Sequence, residues 1–309
     1  MFPGTPTTNA RPLGSADPKR LRAHVAALEG ERHPVSSPDA LDAAAQYIEL
    51  ELRAVGLDAK RVPFVFRGTS YDNVVATKPG GDTSRPRVLV GAHFDTVRGS
   101  PGADDNASGV AALLEVARLV SDVPLTTDID FVGFNLEEPQ GLTYRVGSRP
   151  FAKEARRRRV RYAGVFVLEM LGYTNQARGS QSVPPFLFWK RVPRQGTFLA
   201  ATGHGRSSRL LRTFAAAARE AVPALTVVTF RTPLRGWLVP DTRLSDNASF
   251  WDAGYPALML TDTAYLRNRH YHQASDRLDT LDFEFLAQAT DAVVAAVIRV
   301  AGCSDRPTP

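Results

Sequence analysis

Apolar residues recur along the chain with two spacings, which indicates that helices alternate with strands. Across residues 18–56 they return every three or four positions, as at Leu41 and Ile48, which predicts helices. The pair Ser37 and Pro38 is typical of a helix start, because serine caps the first turn and proline suits its first position. The chain therefore begins its ordered part with helices.

Short apolar runs bounded by Gly, Pro or charged residues predict strands. Three of them are apolar enough for buried central strands, namely 85–95, 127–138 and 161–173. Shorter runs predict a pair of early strands, a later strand and a helix leading into a strand, at 61–66, 71–79, 225–232 and 245–264. Helical spacing returns at 106–122, 207–222 and 282–302. Such alternation predicts an α/β fold with a mostly parallel central β-sheet flanked by helices.

The length of 309 residues and a hydrophobic content of 43% are ordinary for a globular chain. We expect one domain over residues 16–305, after a flexible segment at 1–15. The Gly- and Pro-containing stretch 172–203 is predicted as an insertion or loop. The sequence contains no apolar run of about 18 residues and its first residues lack a signal-like apolar core, so we expect no membrane span and a cytoplasmic location.

The chain is basic, with a net charge of +6 and a pI near 9.7. Much of the excess lies in the run KEARRRRVR at 153–161. A nucleic-acid surface would explain it, but no aromatic interleaving or nucleic-acid motif accompanies the run, so a solvated helix end is favoured and no nucleic-acid partner is expected. Cys303 is the single cysteine and cannot form an internal disulfide, so we interpret it as structural or incidental.

Histidines and carboxylates gather where the predicted buried strands end. These residues are His93, Asp95, Asp104, Asp105, Glu137, Glu138, Glu169, His270 and His272. Sites in open α/β sheets form outside the carboxyl ends of the strands, so we expect these groups to converge. Imidazole and carboxylate donors without thiolate suit zinc, cobalt or manganese, and so many like charges require cations, more than one in number. A carboxylate that is not a ligand would then serve as general base.

Five separated segments resemble the M28 family of zinc aminopeptidases, in the subgroup with EEP. They are GAHFDTV, PGADDNASG, NLEEP, VLEMLGY and YHQASDRLDTLD, in that order. The resemblance implies two zinc ions per chain and hydrolysis of the N-terminal peptide bond by a metal-bridging hydroxide. It also implies a peptide or amino-acid-derivative substrate. The oligomeric state stays open.

The resemblance assigns a role to each matching residue. His93 and Glu169 correspond to ligands of the first zinc, Glu138 and His272 to ligands of the second, and Asp105 to the bridge between them. Glu137 corresponds to the general base, and Asp95 to a catalytic support that orients His93. Asp104 corresponds to a neighbour that is not a ligand, so we expect its loss to matter least. His270 matches no ligand of the family.

Substrate contacts are predicted less directly. Arg267 lies close to His272 in sequence and would suit a substrate carboxylate, and Tyr265 and Asn247 are further candidates. The cluster Phe186, Phe188 and Trp189 would suit either a hydrophobic pocket or the core. Three alternatives stay open: a glutaminyl-cyclase-like zinc acyltransferase, a hydrolase of N-acyl amino acids or dipeptides, and an inactive M28-like binding module. The peptidase form of ADDNASG and the intact ligand series favour an aminopeptidase.

Overall fold

A mixed sheet of eight strands forms the centre of the computed structural model, which describes residues 14–184 and 192–303. In chain order the strands are β1 Lys60–Phe66, β2 Thr69–Lys78, β3 Arg87–His93, β4 Ile129–Phe134, β5 Tyr162–Glu169, β6 Leu199–Gly203, β7 Val227–Arg231 and β8 Ala257–Thr261. Their order across the sheet is β1-β2-β4-β3-β5-β8-β6-β7. The α/β class predicted from the sequence is confirmed.

The four central strands β4, β3, β5 and β8 run parallel to one another, and β6 pairs with β7 in the same way. Antiparallel pairing occurs between β1 and β2, between β2 and β4, and between β6 and β8. Because the central strands are parallel, their carboxyl ends meet at one edge of the sheet. That edge is where ligands bind in open α/β sheets.

Helices cover both faces of the sheet. They are α1 Pro18–Leu28, α2 Pro38–Ala54, α3 Gly109–Val120, α4 Ser148–Arg157, α5 Ser208–Ala221, α6 Asn247–Asp252 and α7 Phe283–Ala301. Successive residues of a strand point to opposite faces, so Val88 and Val90 pack with α3 and α7, whereas Leu89 packs in a second cluster with Phe250 and Trp251. The central strands are thus buried on both sides, which explains their continuous apolar runs.

The prediction of a loop over 172–203 is wrong at its end, because Leu199–Gly203 forms β6. Its sequence LAATG contains only one large apolar residue and so gives no apolar run. Ala200 and Thr202 line a cavity and do not fill the core. Phe186, Phe188 and Trp189 lie outside the described residues. Among the helices of the described ranges, none is long and apolar enough to cross a bilayer.

The basic run begins inside α4 and continues beyond it. Glu154 accepts hydrogen bonds from Arg157 at 2.6 Å and from Arg158 at 2.6 Å, and all three side chains are solvated. Arg156 and Arg157 occupy the last turn of α4, where cations interact favourably with the helix dipole. The arrangement agrees with the interpretation of this run as a solvated helix end.

Candidate metal centre

The candidate ligands come from four segments that end at the same edge of the sheet. His93 is the last residue of β3, and Glu169 is the last residue of β5. Glu138 follows β4, and His272 lies in the loop after β8. Asp105 lies in the turn that leads from β3 into α3. Parallel strands therefore bring together residues that are up to 179 positions apart in the chain.

Asp105 faces two histidines, one with each carboxylate oxygen. Its Oδ1 lies 3.3 Å from Nε2 of His93, and its Oδ2 lies 3.2 Å from Nε2 of His272. Nε2 of His93 is also 3.5 Å from Oε1 of Glu169, and Nε2 of His272 is 3.3 Å from Oε1 of Glu138. Two groups of three donors, each within 4.8 Å, thus share one carboxylate.

The donor atoms fit cations better than they fit one another. Both nitrogens of His93, Nε2 of His272 and Oε1 of Glu137 are buried without a hydrogen-bond partner. Buried polar atoms are normally paired, and nitrogen–oxygen separations of 3.2–3.5 Å are long for a hydrogen bond. A cation between imidazole and carboxylate donors would satisfy them, and this donor set suits zinc. The residues present therefore fit a metal in each group.

The pKa values of the clustered carboxyl groups also indicate a cation site. Burial raises the pKa of Glu138 to about 8, with a further rise from Asp105, while His272 lowers it. Burial also raises the pKa of Glu137 well above its usual range, and the carboxylates of Asp246 and Glu169 add to this effect. These shifts arise because like charges are packed together in a buried site, and bound cations would offset them.

Asp95 holds three parts of the cluster in place. Its Oδ1 accepts the backbone N–H of Glu137 at 2.9 Å, and its Oδ2 accepts that of Glu138 at 3.1 Å. Oδ1 is also 3.5 Å from Nδ1 of His93, the nitrogen directed away from the other donors. The geometry thus allows the expected support of His93. The sequence does not indicate that Asp95 also binds the backbone N–H groups of Glu137 and Glu138.

Asn106 links Asp105 to the end of β5. Its side-chain nitrogen donates to the carbonyl of Leu168 at 2.9 Å, and its oxygen accepts the N–H of Met170 at 2.9 Å, so it brackets Glu169. The hydroxyl of Ser245 donates to Oε2 of Glu169 at 2.5 Å. The sequence indicates Asn106 only as the start of the helical segment 106–122, and its position beside Asp105 is the one signal that points to this role.

Asp276 is a further residue whose role the sequence does not indicate. Its carboxylate is buried and accepts the backbone N–H of Asp104 at 2.9 Å and that of Asp105 at 3.1 Å. It lies four residues after His272 in the segment YHQASD. The segment that carries one candidate ligand therefore also fixes the backbone of another.

Asp104 is bound to two loops of the fold, a contact that the sequence does not indicate. It is fully buried, its Oδ2 accepts from the side chain of Asn268 at 2.7 Å, and its Oδ1 accepts the N–H of Gly172 at 2.9 Å. It faces neither histidine, as expected of a residue that is not a ligand. Because it ties the loops after β5 and β8 together, we expect its removal to lower the stability of the fold substantially.

Of the three predicted substrate contacts, the structure brings only Tyr265 to the cavity beside the cluster. The guanidinium of Arg267 is buried and donates to Gln181 and to the carbonyls of Tyr173 and Phe198. The side chain of Asn247 is also buried and donates to the carbonyl of Thr242. Arg267 and Asn247 are thus corrected to residues that pack and brace the fold.

A cavity opens directly from the cluster. Asp105, Glu137, Glu138, Glu169 and His272 form one wall. The remaining lining is largely apolar and includes Phe198, Ala200, Val228, Val239, Met259 and Tyr265. Strands β6, β7 and β8 supply much of the floor. A ligand here would place an apolar group against the sheet and a polar or cationic group against the carboxylates.

We expect the metal-free protein to lose stability as the pH rises from 5 to 8. Burial raises the pKa of Asp246 to about 7. The pKa of Asp276 is also raised to about 7, mainly by burial and further by the nearby charge of Asp104. Unfolded aspartates lose their protons near pH ~3.9, so the folded chain binds more protons between these values and is destabilised as they leave. The free energy of unfolding, measured with urea, should decrease by about 2–4 kcal/mol across this pH range.

The control for this prediction is Asp246→Asn, which cannot titrate and should reduce the decrease. A metal-free protein that is more stable at pH 8 than at pH 5 would show that these carboxyls are not protonated in the folded state.

The fold and the two donor groups define a metallopeptidase of the α/β class. A family model described as "Peptidase family M28" matches residues 73–297, and the chain belongs to this family. The resemblance found in the sequence is confirmed. "Uncharacterized protein YfbL" of Escherichia coli is 33% identical over 303 residues, 94% of this chain and 91% of that protein. Six other curated relatives are matched over 16–65% of their length.

Solved structures share the fold. BSAP, a zinc aminopeptidase from Bacillus subtilis, superposes with a TM-score of 0.72 at 17% identity, covering 96% of this chain and 100% of BSAP. The glutaminyl cyclase of Tannerella forsythia superposes with a TM-score of 0.68 at 20% identity, covering 92% of this chain and 99% of the cyclase. At these identities the similarity establishes the fold alone, so the reaction must be argued from the site.

Proposed function

We propose that the chain is an aminopeptidase with two zinc ions, which removes the first residue of a peptide. The observation that carries the proposal is Asp105, whose two oxygens lie 3.3 Å and 3.2 Å from two different histidines. His93, Glu169 and Asp105 would hold the first ion, and His272, Glu138 and Asp105 the second. Zinc would supply Lewis acidity that polarises the scissile carbonyl and lowers the pKa of water.

In this proposal Glu137 moves the proton of the reaction. Its Oε1 is buried without a hydrogen-bond partner and its residue lines the cavity, while its backbone is held by Asp95. As a carboxylate it would take a proton from the attacking water and pass it to the leaving nitrogen. The raised pKa of Glu137 in the metal-free protein would fall once cations offset the neighbouring carboxylates.

The cavity supports a substrate with a free amino end and an apolar first side chain. The oxygens of the wall would accept hydrogen bonds from an amino group even where zinc offsets their charge, whereas the sheet floor offers apolar surface to the side chain. A free carboxylate end has no proton to donate to these oxygens. This difference favours cleavage from the amino end over cleavage from the carboxyl end.

We expect Ala200→Phe to shift the substrate preference toward small first residues. Ala200 lies on β6 in the cavity floor, so a phenyl ring there would occupy the space of a large substrate side chain. The ratio of kcat/KM for leucine amide to that for alanine amide should fall by about 10–100-fold. Ala200→Ser, which adds little volume, is the matched control and should keep the ratio. An unchanged ratio in the phenylalanine variant would place the first side chain elsewhere.

A substrate panel with and without added zinc tests the proposed reaction. It contains an aminoacyl amide, an N-acetylated copy of the same amide, an N-acyl amino acid, a dipeptide and a peptide with an N-terminal glutamine. We expect hydrolysis of the first and no hydrolysis of its acetylated copy, because acetylation removes the cationic amino group. Cyclisation of the glutaminyl peptide without hydrolysis of the amide would contradict the proposal and favour a cyclase, whose fold this chain shares.

A further inference from the structure

We propose that Arg32 is a positioning residue of the metal centre, which sets the separation of His93 and Asp105 by binding the loop between them. Arg32 lies between α1 and α2, far from the candidate ligands in sequence, and only 2% of its surface is exposed. The inference rests on the proposed zinc function, because it concerns how the donors are held before metal binds.

The guanidinium of Arg32 makes all five of its hydrogen bonds to backbone carbonyls. Nε donates to Phe94 at 2.7 Å, Nη2 donates to Gly102 at 2.9 Å, and Nη1 donates to Pro101 at 3.0 Å, to Gly30 at 2.8 Å and to Leu28. Its backbone N–H donates to the hydroxyl of Thr96 at 2.9 Å. Three of the carbonyls and this hydroxyl belong to one loop, residues 94–102.

That loop joins the two residues that face each other in the first donor group. Phe94 directly follows His93, and Gly102 precedes Asp105 by three residues. Arg32 therefore holds both ends of the loop with one rigid, planar group. A change at Arg32 would let His93 and Asp105 move apart, although neither touches it in a hydrogen bond or ion pair that the described part of the chain contains.

The contact with Gly102 leaves no spare space. A Cβ built on Gly102 would lie 2.8 Å from Nη2 of Arg32 and 2.4 Å from the carbonyl oxygen of Asp105. The residue also has φ +62°, a conformation that favours glycine. The arginine, the glycine and the backbone of Asp105 are thus packed against one another, so displacement of one is transmitted to the next.

Charge works together with these contacts. Burial lowers the pKa of Arg32 to about 10, whereas Asp276, Asp95 and Asp105 raise it, so the side chain is cationic at neutral pH. Asp276 binds the amides of Asp104 and Asp105, while Arg32 binds the carbonyls that precede them. The Arg32 guanidinium and the Asp276 carboxyl group therefore hold this backbone through its acceptors and its donors respectively.

The direction in which zinc affinity changes when Arg32 is removed distinguishes positioning from two simpler roles. If Arg32 acted only as a charge, its removal would strengthen zinc binding, because a cation repels a metal ion. If it served only stability, its removal would lower the unfolding temperature and leave zinc affinity unchanged. If it positions the ligands, zinc binding should weaken although a repelling charge has gone.

The test compares Arg32→Met and Arg32→Lys with wild type, each purified and stripped of metal. We expect Arg32→Met to raise the Kd for Zn²⁺, measured by competition with a chelating dye, by about 10–100-fold. Arg32→Lys keeps the charge but lacks the planar fork, so it should also weaken binding. The visible absorption of the Co²⁺-loaded variants should change, because it reports the geometry of the ligands.

Leu52→Ala in α2 is the control for loss of stability. Leu52 is fully buried, so its removal should lower the unfolding temperature of the metal-free protein. It should keep the Kd for Zn²⁺ within about two-fold of wild type, since α2 packs on β1, β2 and α3, whereas Arg32 binds the loop 94–102.

A wild-type or lower Kd in Arg32→Met, with an unchanged Co²⁺ spectrum, would overturn the inference. If that variant does not fold, the same reading applies to Arg32→Lys. A wild-type protein that binds no zinc would instead overturn the proposed function, so the two failures can be told apart.

Discussion

Replacement of Glu137 by glutamine should lower kcat by about 10²–10⁴-fold while the zinc content stays that of the wild type. Glutamine has the same shape but cannot accept the proton of the attacking water. Because Asp95 binds the backbone N–H of residue 137, the substitution leaves that anchor in place. The measurement is kcat on an aminoacyl amide, together with metal analysis of the same sample.

Two outcomes would contradict the role of Glu137 as general base. Activity near that of the wild type would mean that Glu137 does not carry the proton. A parallel loss of zinc would mean that Glu137 acts as a ligand, which its presence in a third group of nearby donors with His93 and Glu138 makes a specific alternative.

Asp105→Asn should have the most severe effect on metal binding. Each of its oxygens faces a different histidine, so both donor groups lose their shared anion at once. We expect bound zinc to fall from two ions to one or fewer per chain, with kcat reduced by more than about 10²-fold. Metal analysis after dialysis and activity on the same amide check both parts.

Asp104→Asn is the matched control for the bridge. It removes a neighbouring carboxylate of the same size that faces neither histidine and accepts hydrogen bonds from Gly172 and Asn268. We expect it to keep two zinc ions and to lower the unfolding temperature. If Asp105→Asn retained both ions, or if Asp104→Asn lost them while still folded, the assignment of the bridge would be wrong.

The sequence predicted the α/β class and the residues that meet at the sheet edge, because both follow from local patterns. Buried parallel strands are apolar runs that end in polar groups, and His93 and Glu169 stand at such ends. β6 escaped this reasoning, since Ala200 and Thr202 face a cavity and give no apolar run. Its place was decided by pairing with β7 and β8, which are distant in sequence.

The roles of buried charges were the part that the sequence could not predict. Arg267 and Arg32 are both arginines in polar segments, and nothing local distinguishes a substrate contact from a backbone brace. The structure shows that each donates to carbonyls of other segments. Asp104 and Asp105 are likewise neighbours of one type. The family resemblance distinguished the bridge from its neighbour, but the two loops that Asp104 ties together are visible only in the folded chain.

Zinc stoichiometry tests the central claim most directly. Metal-free protein would be titrated with Zn²⁺, and bound metal per chain would be followed together with hydrolysis of an aminoacyl amide. The account predicts two ions per chain in the wild type, one or fewer in Asp105→Asn, and full activity only when the second site fills. A folded wild-type protein that saturates with one ion, or that binds none, would contradict it.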